Sequence, residues 1–229
     1  MSSPPLEPKW PRLLSLSVHE FRTPISVVAG YLRMVLKDPA GTLDERYRRM
    51  LEEAEKSCGR LSALAAEMSD LSALEAGTAA FKKAPVDIRG VLTAAIDTLP
   101  PLPDRNVTVE LRAAGGAAVV QGDAPRLQSA LTSVLHGLRR EVVTSDKLIV
   151  NERTAPYNGQ SASWIAIADA ENIEAVTGAQ LQDLTVFDEW RGGCGLSLAV
   201  ARRVIDRHQG SIWSPASGVK TAAVIALPH

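Results

Sequence analysis

The sequence predicts an α+β protein in which an N-terminal helical hairpin is followed by an α/β sandwich. Between about residues 11 and 77, apolar residues recur in alternating steps of four and three, which is typical of helices that pack along a narrow seam. From about residue 81 onward, short runs with strand character are interspersed with amphipathic helices. This second pattern predicts a sheet covered by helices on one face.

The hairpin prediction depends on two heptad seams. The first seam consists of Leu14, Val18, Phe21, Ile25, Val28, Leu32 and Val35. The second seam consists of Leu43, Tyr47, Met50, Ala54, Ser57, Leu61, Leu64, Met68 and Leu71. Residues 37–42, KDPAGT, separate the two helices with the proline and glycine of a tight turn, and Gly77 is placed to end the second helix.

Seams of this width are poorly buried by a single hairpin, so we expect two copies to form a dimeric four-helix bundle. The alternative is that the hairpin packs on the second half of its own chain. The sequence thus divides into a tail or linker at residues 1–10, the hairpin at 11–78 and the α/β sandwich at 79–229.

The second half contains three helical patterns and six strand-like runs. The predicted helices are residues 86–99, 124–140 and 195–208. The predicted strands are residues 106–111, 117–123, 147–152, 163–169, 210–214 and 220–227, with a Gly-Gly turn between the first two.

Composition excludes several classes of function. The formal charge is −1, which does not favour binding to nucleic acid or to an anionic membrane surface. Cys58 and Cys194 are isolated, so neither a disulfide framework nor a zinc site is predicted, and a cytoplasmic location is expected. No apolar run approaches the roughly 20 residues of a membrane-spanning helix.

Residues 19–24, HEFRTP, place an unusual set of side chains inside the first helix. A neutral imidazole at His19 has a free ring nitrogen that can accept a phosphoryl group, and the carboxylate of Glu20 can hold the other ring N–H. Thr23 lies one helical turn later and can orient a water. Pro24 lacks an N–H, which predicts a break that frees the Glu20 carbonyl.

The alternative is an exposed histidine in a helix that happens to contain proline. The threonine at position 23 excludes the HExxH zinc-protease pattern.

Residues 17–36, SVHEFRTPISVVAGYLRMVL, closely resemble the phosphoacceptor box of sensor histidine kinases, and the likeness extends over nearly the whole chain. The resemblance implies a dimerisation and histidine-phosphotransfer hairpin followed by a catalytic ATP-binding domain of the Bergerat type. It implies that His19 is the phosphoacceptor and that Glu20 is its acid/base partner, with Glu20 and Thr23 supporting hydrolysis of a phosphorylated response regulator. The implied partners are a second copy of the chain and a receiver domain, which would dock near Arg22 and Ser26.

The same resemblance implies ATP and Mg²⁺ as cofactors, with phosphates near Gly193 and Gly195 at a helix start, where free N–H groups and the helix dipole favour anions. Ser197 replaces a third glycine of that box. Asp169 matches the aspartate that would hold the adenine amino group. Two positions that follow Asp169 and are glycine in the family are Glu171 and Ile173 here, and their bulk is expected to fill the space of adenine.

Residues 123–140 line up with the asparagine box of the same family, and this box also departs from the family pattern. Ser133 and Gly137 stand in place of asparagines, the second of which normally holds Mg²⁺, while Arg140 matches a basic position that can meet a phosphate. His136 is a candidate replacement for the lost ligand, and no set of residues is assigned as a metal site.

Residues 186–190, VFDEW, resemble the phenylalanine-box region of the same family, and only Arg191 separates them from Gly192 and Gly193. The resemblance implies a flexible lid at this place, so the lid is expected to be largely deleted here. Together these departures predict weak or lost kinase activity with an intact phosphoacceptor. The alternative function is a non-enzymatic dimeric scaffold for a receiver or a partner kinase, which would have no need of Glu20 and Thr23.

Overall fold

The computed structural model describes residues 9–37, 43–113, 118–143, 145–216, 219 and 221–229. Most of the predicted tail, the centre of the predicted turn at 37–42 and the predicted Gly-Gly turn at 115–116 lie outside these residues. The chain divides into two compact units, residues 1–79 and residues 80–229. None of the described helices is long and apolar enough to cross a membrane.

The first unit consists of two long helices, α1 (Lys9–Lys37) and α2 (Glu45–Glu75). Asp44 caps α2 by accepting a hydrogen bond from the backbone N–H of Arg46 at 2.9 Å. Helix α1 is continuous through Pro24, so the expected break is wrong. Because Pro24 and Glu20 are exposed, water can satisfy the carbonyl that the proline leaves without a helical donor.

The two helices are antiparallel, and two contacts set their register. The hydroxyl of Ser72 donates to the carbonyl of Pro11 at 2.7 Å, and Arg33 pairs with Glu55 at 3.2 Å. Counting along the antiparallel helices from the first contact places His19 level with residue 64 of α2, and counting from the second places it level with residue 69.

Only part of each predicted seam is buried inside the hairpin. In α1, Val18 is 1% exposed, whereas Phe21, Val28 and Val35 are each about half exposed. In α2, the buried residues include Cys58 and Ala65, which the predicted seam omits, while Tyr47 and Met50 are exposed. Part of each seam thus stays exposed on a single hairpin, and the residues that α1 and α2 bury against each other do not coincide with the predicted seams.

The second unit contains four helices and eight strands within its described residues. In chain order they are β1 (Ala84–Asp87), α3 (Ile88–Asp97), β2 (Thr108–Ala113), β3 (Val119–Gly122), α4 (Ala124–Glu141), β4 (Lys147–Tyr157), β5 (Gln160–Asp169), α5 (Ile173–Gly178), β6 (Leu184–Val186), α6 (Ser197–Arg207), β7 (Ser211–Pro215) and β8 (Ala222–Pro228). Short 3-10 helices occur at Leu181–Asp183 and Arg191–Gly193.

Six strands form one sheet in the order β2-β4-β5-β8-β7-β6, in which only the β2–β4 pair is parallel. β1 and β3 form a separate antiparallel pair. The sequence interpretation missed β1, because it began α3 at Val86, two residues before the observed helix. Asp87 ends β1 and caps α3 by accepting from the N–H of Arg89.

Helices α3, α4 and α6 pack together as one layer, and the central strand β5 is buried on both sides. Alternation along a strand places Ile165 and Ile167 on one face and Trp164 on the other. The Trp164 side carries a cluster in which Trp164 stacks on Trp213 and α5 adds Ile173 and Val176. The prediction that the sheet is covered on one face is therefore wrong, since β5 is buried on both.

Candidate functional site

The residues of the predicted phosphoacceptor site lie together on the surface of α1. His19, Glu20 and Thr23 are all exposed, and His19 directly follows the buried Val18. The helix puts His19 and Thr23 one turn apart on the same face, with Glu20 beside them. Packing at Val18 therefore anchors the helix, while the imidazole, the carboxylate and the hydroxyl remain open to solvent and to a docking partner.

Asp169 ends β5 and is 5% exposed, but its carboxylate is already engaged by the turn that follows it. It accepts from the backbone N–H groups of Glu171 and Asn172 at 3.1 and 2.9 Å. The side-chain amide of Asn172 donates to both carboxylate oxygens, at 2.8 and 3.0 Å. Glu171 is exposed, whereas Ile173 is buried in the cluster with Trp164, and the expectation that these two residues fill the adenine space stays a prediction.

The glycine segment lies against the end of α4. Gly193 and Gly195 have φ angles of +59° and +62°, a left-handed backbone that glycine adopts without steric cost. The guanidinium of Arg140 donates to the carbonyl of Gly193 at 3.1 Å. The hydroxyl of Ser197, the first residue of α6, donates back to the carbonyl of Cys194 at 2.8 Å. The structure thus brings Arg140 and Gly193 together, while the expected contact of Arg140 with a phosphate stays a prediction.

Gly137 lets α4 and the start of α6 approach closely. A Cβ at this position would lie 3.3 Å from Sγ of Cys194 and 3.4 Å from a methyl group of Leu198. The hydroxyl of Ser133 donates to the carbonyl of Ser129 at 3.0 Å. Across the described ranges, no group of three or more His, Cys, Asp or Glu residues could hold a metal ion.

Residues 12–77 match the family model of the His Kinase A (phospho-acceptor) domain. This match contains the exposed histidine and both helices of the first unit. Residues 12–77 therefore belong to the His Kinase A (phospho-acceptor) domain family. Among curated proteins, the chain is 26% identical over 205 residues to the circadian input-output histidine kinase CikA of Synechococcus elongatus, covering 87% of this chain and 27% of CikA. It is 25% identical over 223 residues to the histidine kinase BaeS of Escherichia coli, covering 91% of this chain and 45% of BaeS.

Solved histidine kinases share the fold. Full-length ShkA, determined in complex with AMPPNP, matches with a TM-score of 0.67 and 21% identity over 95% of this chain and 46% of ShkA. The histidine kinase AdeS of Acinetobacter baumannii matches with a TM-score of 0.56 and 20% identity over 92% of this chain and 97% of AdeS. This chain spans from about a quarter to under half of the length of the curated relatives named above.

In the second unit, His136 borders a cavity of about 480 Å³ that is also lined by Arg105, Arg140 and the proline-rich segment 100–103. Its Nδ1 is buried and finds no hydrogen-bond partner in the described part of the chain. Burial lowers the pKa of His136, and the nearby positive charges of Arg140 and Arg139 lower it further. An imidazole among guanidinium groups does not provide the oxygen ligands that Mg²⁺ prefers.

Sequence reasoning does not find the residues that hold the segment before the glycines. Arg191 has no sequence signal beyond its position between Trp190 and Gly192, yet it pairs with Glu141, 50 positions earlier. Glu189 is buried and pairs with Arg203 of α6. Asn172 was also missed, although its position three residues after an aspartate is a turn signal.

Proposed function

We propose that the chain is a two-component signalling protein that passes phosphoryl groups through His19 to or from an aspartate of a response-regulator receiver, while its ATP-dependent kinase activity is weak or lost. The observation that carries this proposal is the joint exposure of His19, Glu20 and Thr23 on a phospho-acceptor helix anchored at Val18. A cytoplasmic location, expected from the isolated cysteines, belongs to the same proposal.

The phosphoryl chemistry follows from the three side chains. In transfer from a receiver, a ring nitrogen of neutral His19 forms the N–P bond while the acyl-phosphate P–O bond breaks and the receiver carboxylate leaves. Glu20 accepts the other ring N–H and thereby stabilises the positive charge that develops on the imidazole. In hydrolysis, the hydroxyl of Thr23 orients the attacking water.

A homodimer is part of the proposal. The exposed half of the α1 seam contains Phe21, Val28 and Val35, and α2 exposes Tyr47 and Met50. Exposed apolar side chains on both helices of a long hairpin favour burial against another copy, which would complete a four-helix bundle. Response-regulator docking around Arg22 and Ser26 is proposed on the same exposed helix.

Weak or absent kinase activity is supported by the second unit. Gly137 provides no ligand for Mg²⁺, and Cys194 and Leu198 occupy the space into which a longer side chain would extend. The carboxylate of Asp169 is occupied by Asn172. The residues at these positions do not fit Mg-ATP, and phosphoryl transfer from ATP depends on positioning and charge neutralisation.

A non-enzymatic scaffold remains the second candidate, and the engaged nucleotide-site residues favour it. Against it stands the retention of both Glu20 and Thr23 beside His19, since neither is required for docking alone.

The test uses the purified full chain and a His19→Gln variant. Each is mixed separately with radiolabelled ATP and Mg²⁺, and with receiver domains that carry ³²P from acetyl phosphate. We expect acid-labile label on the wild-type chain from a receiver only, and none on the variant. Strong His19-dependent labelling from ATP would contradict the loss of kinase activity. Absence of transfer in either direction, with folded dimeric protein and a receiver shown to bind it, would favour the scaffold.

A further inference from the structure

The second unit contains a partly buried ion pair at the start of the glycine segment. The side chain of Arg191 is 10% exposed, and its Nε donates to the two carboxylate oxygens of Glu141 at 3.2 and 3.0 Å. A second guanidinium nitrogen, Nη1, donates to the backbone carbonyl of Ala222 at 3.1 Å. Arg191 thus links the last residue of α4 to the first residue of β8.

This bridge lies at the end of the sheet where Asp169 is found. Ala222 pairs with Ala168 across β5 and β8, and Ala168 directly precedes Asp169. The guanidinium therefore spans the gap between helix and sheet beside the residue that the family resemblance assigns to the nucleotide base. Within this gap, the guanidinium of Arg191 donates hydrogen bonds to the carboxylate of Glu141, so that each charged group has a partner.

The segment that carries Arg191 is held at several further points. Phe187 is buried, and the buried carboxylate of Glu189 pairs with Arg203 of α6. The carbonyl of Gly193 accepts from Arg140 of α4. The chain between β6 and α6 is thus anchored to α4, α6 and β8, and has no long free loop that could swing away from the gap.

We propose that Arg191, held by Glu141 and the Ala222 carbonyl, is an internal plug that excludes nucleotides from the second unit. This inference rests on the proposed loss of kinase activity and supplies its physical cause. A base that entered the gap would displace the guanidinium and leave the partly buried carboxylate of Glu141 without its ion-pair partner, which is unfavourable. Asn172 completes the exclusion, because it takes the hydrogen-bond acceptors of Asp169.

The experiment compares two variants of the full chain. The first, Asn172→Gly, frees Asp169 but keeps the plug. The second adds Arg191→Ala and Glu141→Ala, which removes both charges of the pair together and leaves neither one buried alone. Binding of a trinitrophenyl-ADP probe is measured by fluorescence in EDTA, with excess unlabelled ADP as competitor. An Arg112→Ala change, which removes an exposed ion pair with Glu110 on β2, serves as the control for loss of a salt bridge elsewhere.

We expect the plug-free variant to bind the probe at least tenfold more tightly than Asn172→Gly, with competition by ADP and circular dichroism like that of the wild type. Equal affinity in the two variants would overturn the proposal, as would tight, ADP-competed binding to the wild-type chain. If the triple variant unfolds, Arg191→Met with Glu141→Leu replaces the pair by apolar side chains of similar length, and the same criterion applies. His19 labelling by a phosphorylated receiver is measured on the same samples, so failure of the plug is distinguishable from failure of phosphotransfer.

Discussion

Asn172 donates its side-chain amide to both carboxylate oxygens of Asp169, at 2.8 and 3.0 Å, within a single turn after β5. The buried carboxylate is thereby satisfied by its own chain, together with two backbone N–H groups. Burial of a charged group without such partners is costly, so this turn stabilises the end of the central strand.

Replacing Asn172 by alanine is expected to lower the free energy of unfolding by about 1–3 kcal/mol, because the carboxylate loses the side-chain donor but keeps the backbone donors. The measurement is urea unfolding followed by tryptophan fluorescence. The same substitution at the exposed Asn106 is the control and should change the stability by less than about 0.5 kcal/mol. Equal effects at the two positions would contradict this account of the turn.

Gly137→Asn is expected to destabilise the second unit by about 1–3 kcal/mol, since even a Cβ would contact Cys194 and Leu198 closely. Gly59→Asn in α2 is a matched control, because a Cβ there meets no atom within 4 Å. Thermal unfolding of both variants gives the comparison. A stable Gly137→Asn protein that also binds Mg-ATP would show that the packing adapts and that the asparagine alone had been missing.

The free energy of unfolding is expected to fall as the pH drops below about 6.5, because of the buried His208. His208 is buried, its Nε2 accepts from the N–H of Asp123 at 2.9 Å, and its Nδ1–H donates to the Val204 carbonyl at 2.7 Å. Burial lowers the pKa of His208, although the bond to Val204 opposes the shift. With the folded-state pKa below the unfolded one, the stabilisation is complete above pH 6.5 and is lost as the pH falls through the folded pKa.

The measurement for this prediction is the urea midpoint between pH 7.5 and 5, in the wild type and in His208→Gln. The variant should be less stable at pH 7.5 and show a flatter pH profile. His136 also has a lowered pKa, so His136→Gln is run in parallel to separate the two contributions. An unchanged profile in His208→Gln would exclude His208 as the source.

Val28→Asp is expected to dissociate the proposed dimer, because it places a charge in the exposed half of the α1 seam while leaving the hairpin contacts at Val18 intact. Light scattering coupled to size exclusion measures the mass. Lys37→Gln, at an exposed position at the end of the same helix, makes the same change of −1 in net charge and is the control. A dimer that survives in Val28→Asp would place the interface on another surface.

Thr23→Ala is expected to slow dephosphorylation of a bound receiver at least tenfold, while phosphoryl transfer to His19 continues. Thr23→Ser keeps the hydroxyl and should retain most of the rate. The measurement is the decay of ³²P-labelled receiver in the presence of each variant. Equal decay rates for Thr23→Ala and the wild type would exclude a role for the hydroxyl in positioning water.

Much of the first unit was predictable because its signals are local. Helical spacing alone puts His19, Glu20 and Thr23 on neighbouring positions, so their joint display follows from the order of residues. Which seam residues are buried could not be predicted from neighbouring residues, since Val18 and Phe21 belong to the same seam but differ in exposure. Which of them is covered depends on how α2 lies against α1.

The second unit shows the limit of local reasoning more clearly. The sequence indicated that Gly137 departs from an asparagine box, but Cys194 lies 57 positions further along the chain and only the fold brings its sulfur against that glycine. No sequence signal marks Arg191, since its partner Glu141 comes from another element.

The sequence by itself determined the two-part architecture and the phospho-acceptor type of the first unit, because periodicity and motif spacing are properties of neighbouring residues. The tertiary structure decided which side chains of the second unit contact one another between its helices and the end of its sheet. The partners of Asn172, Arg191 and Gly137 are known only from the fold, since hydrogen bonds and close packing depend on distances that the order of residues does not specify.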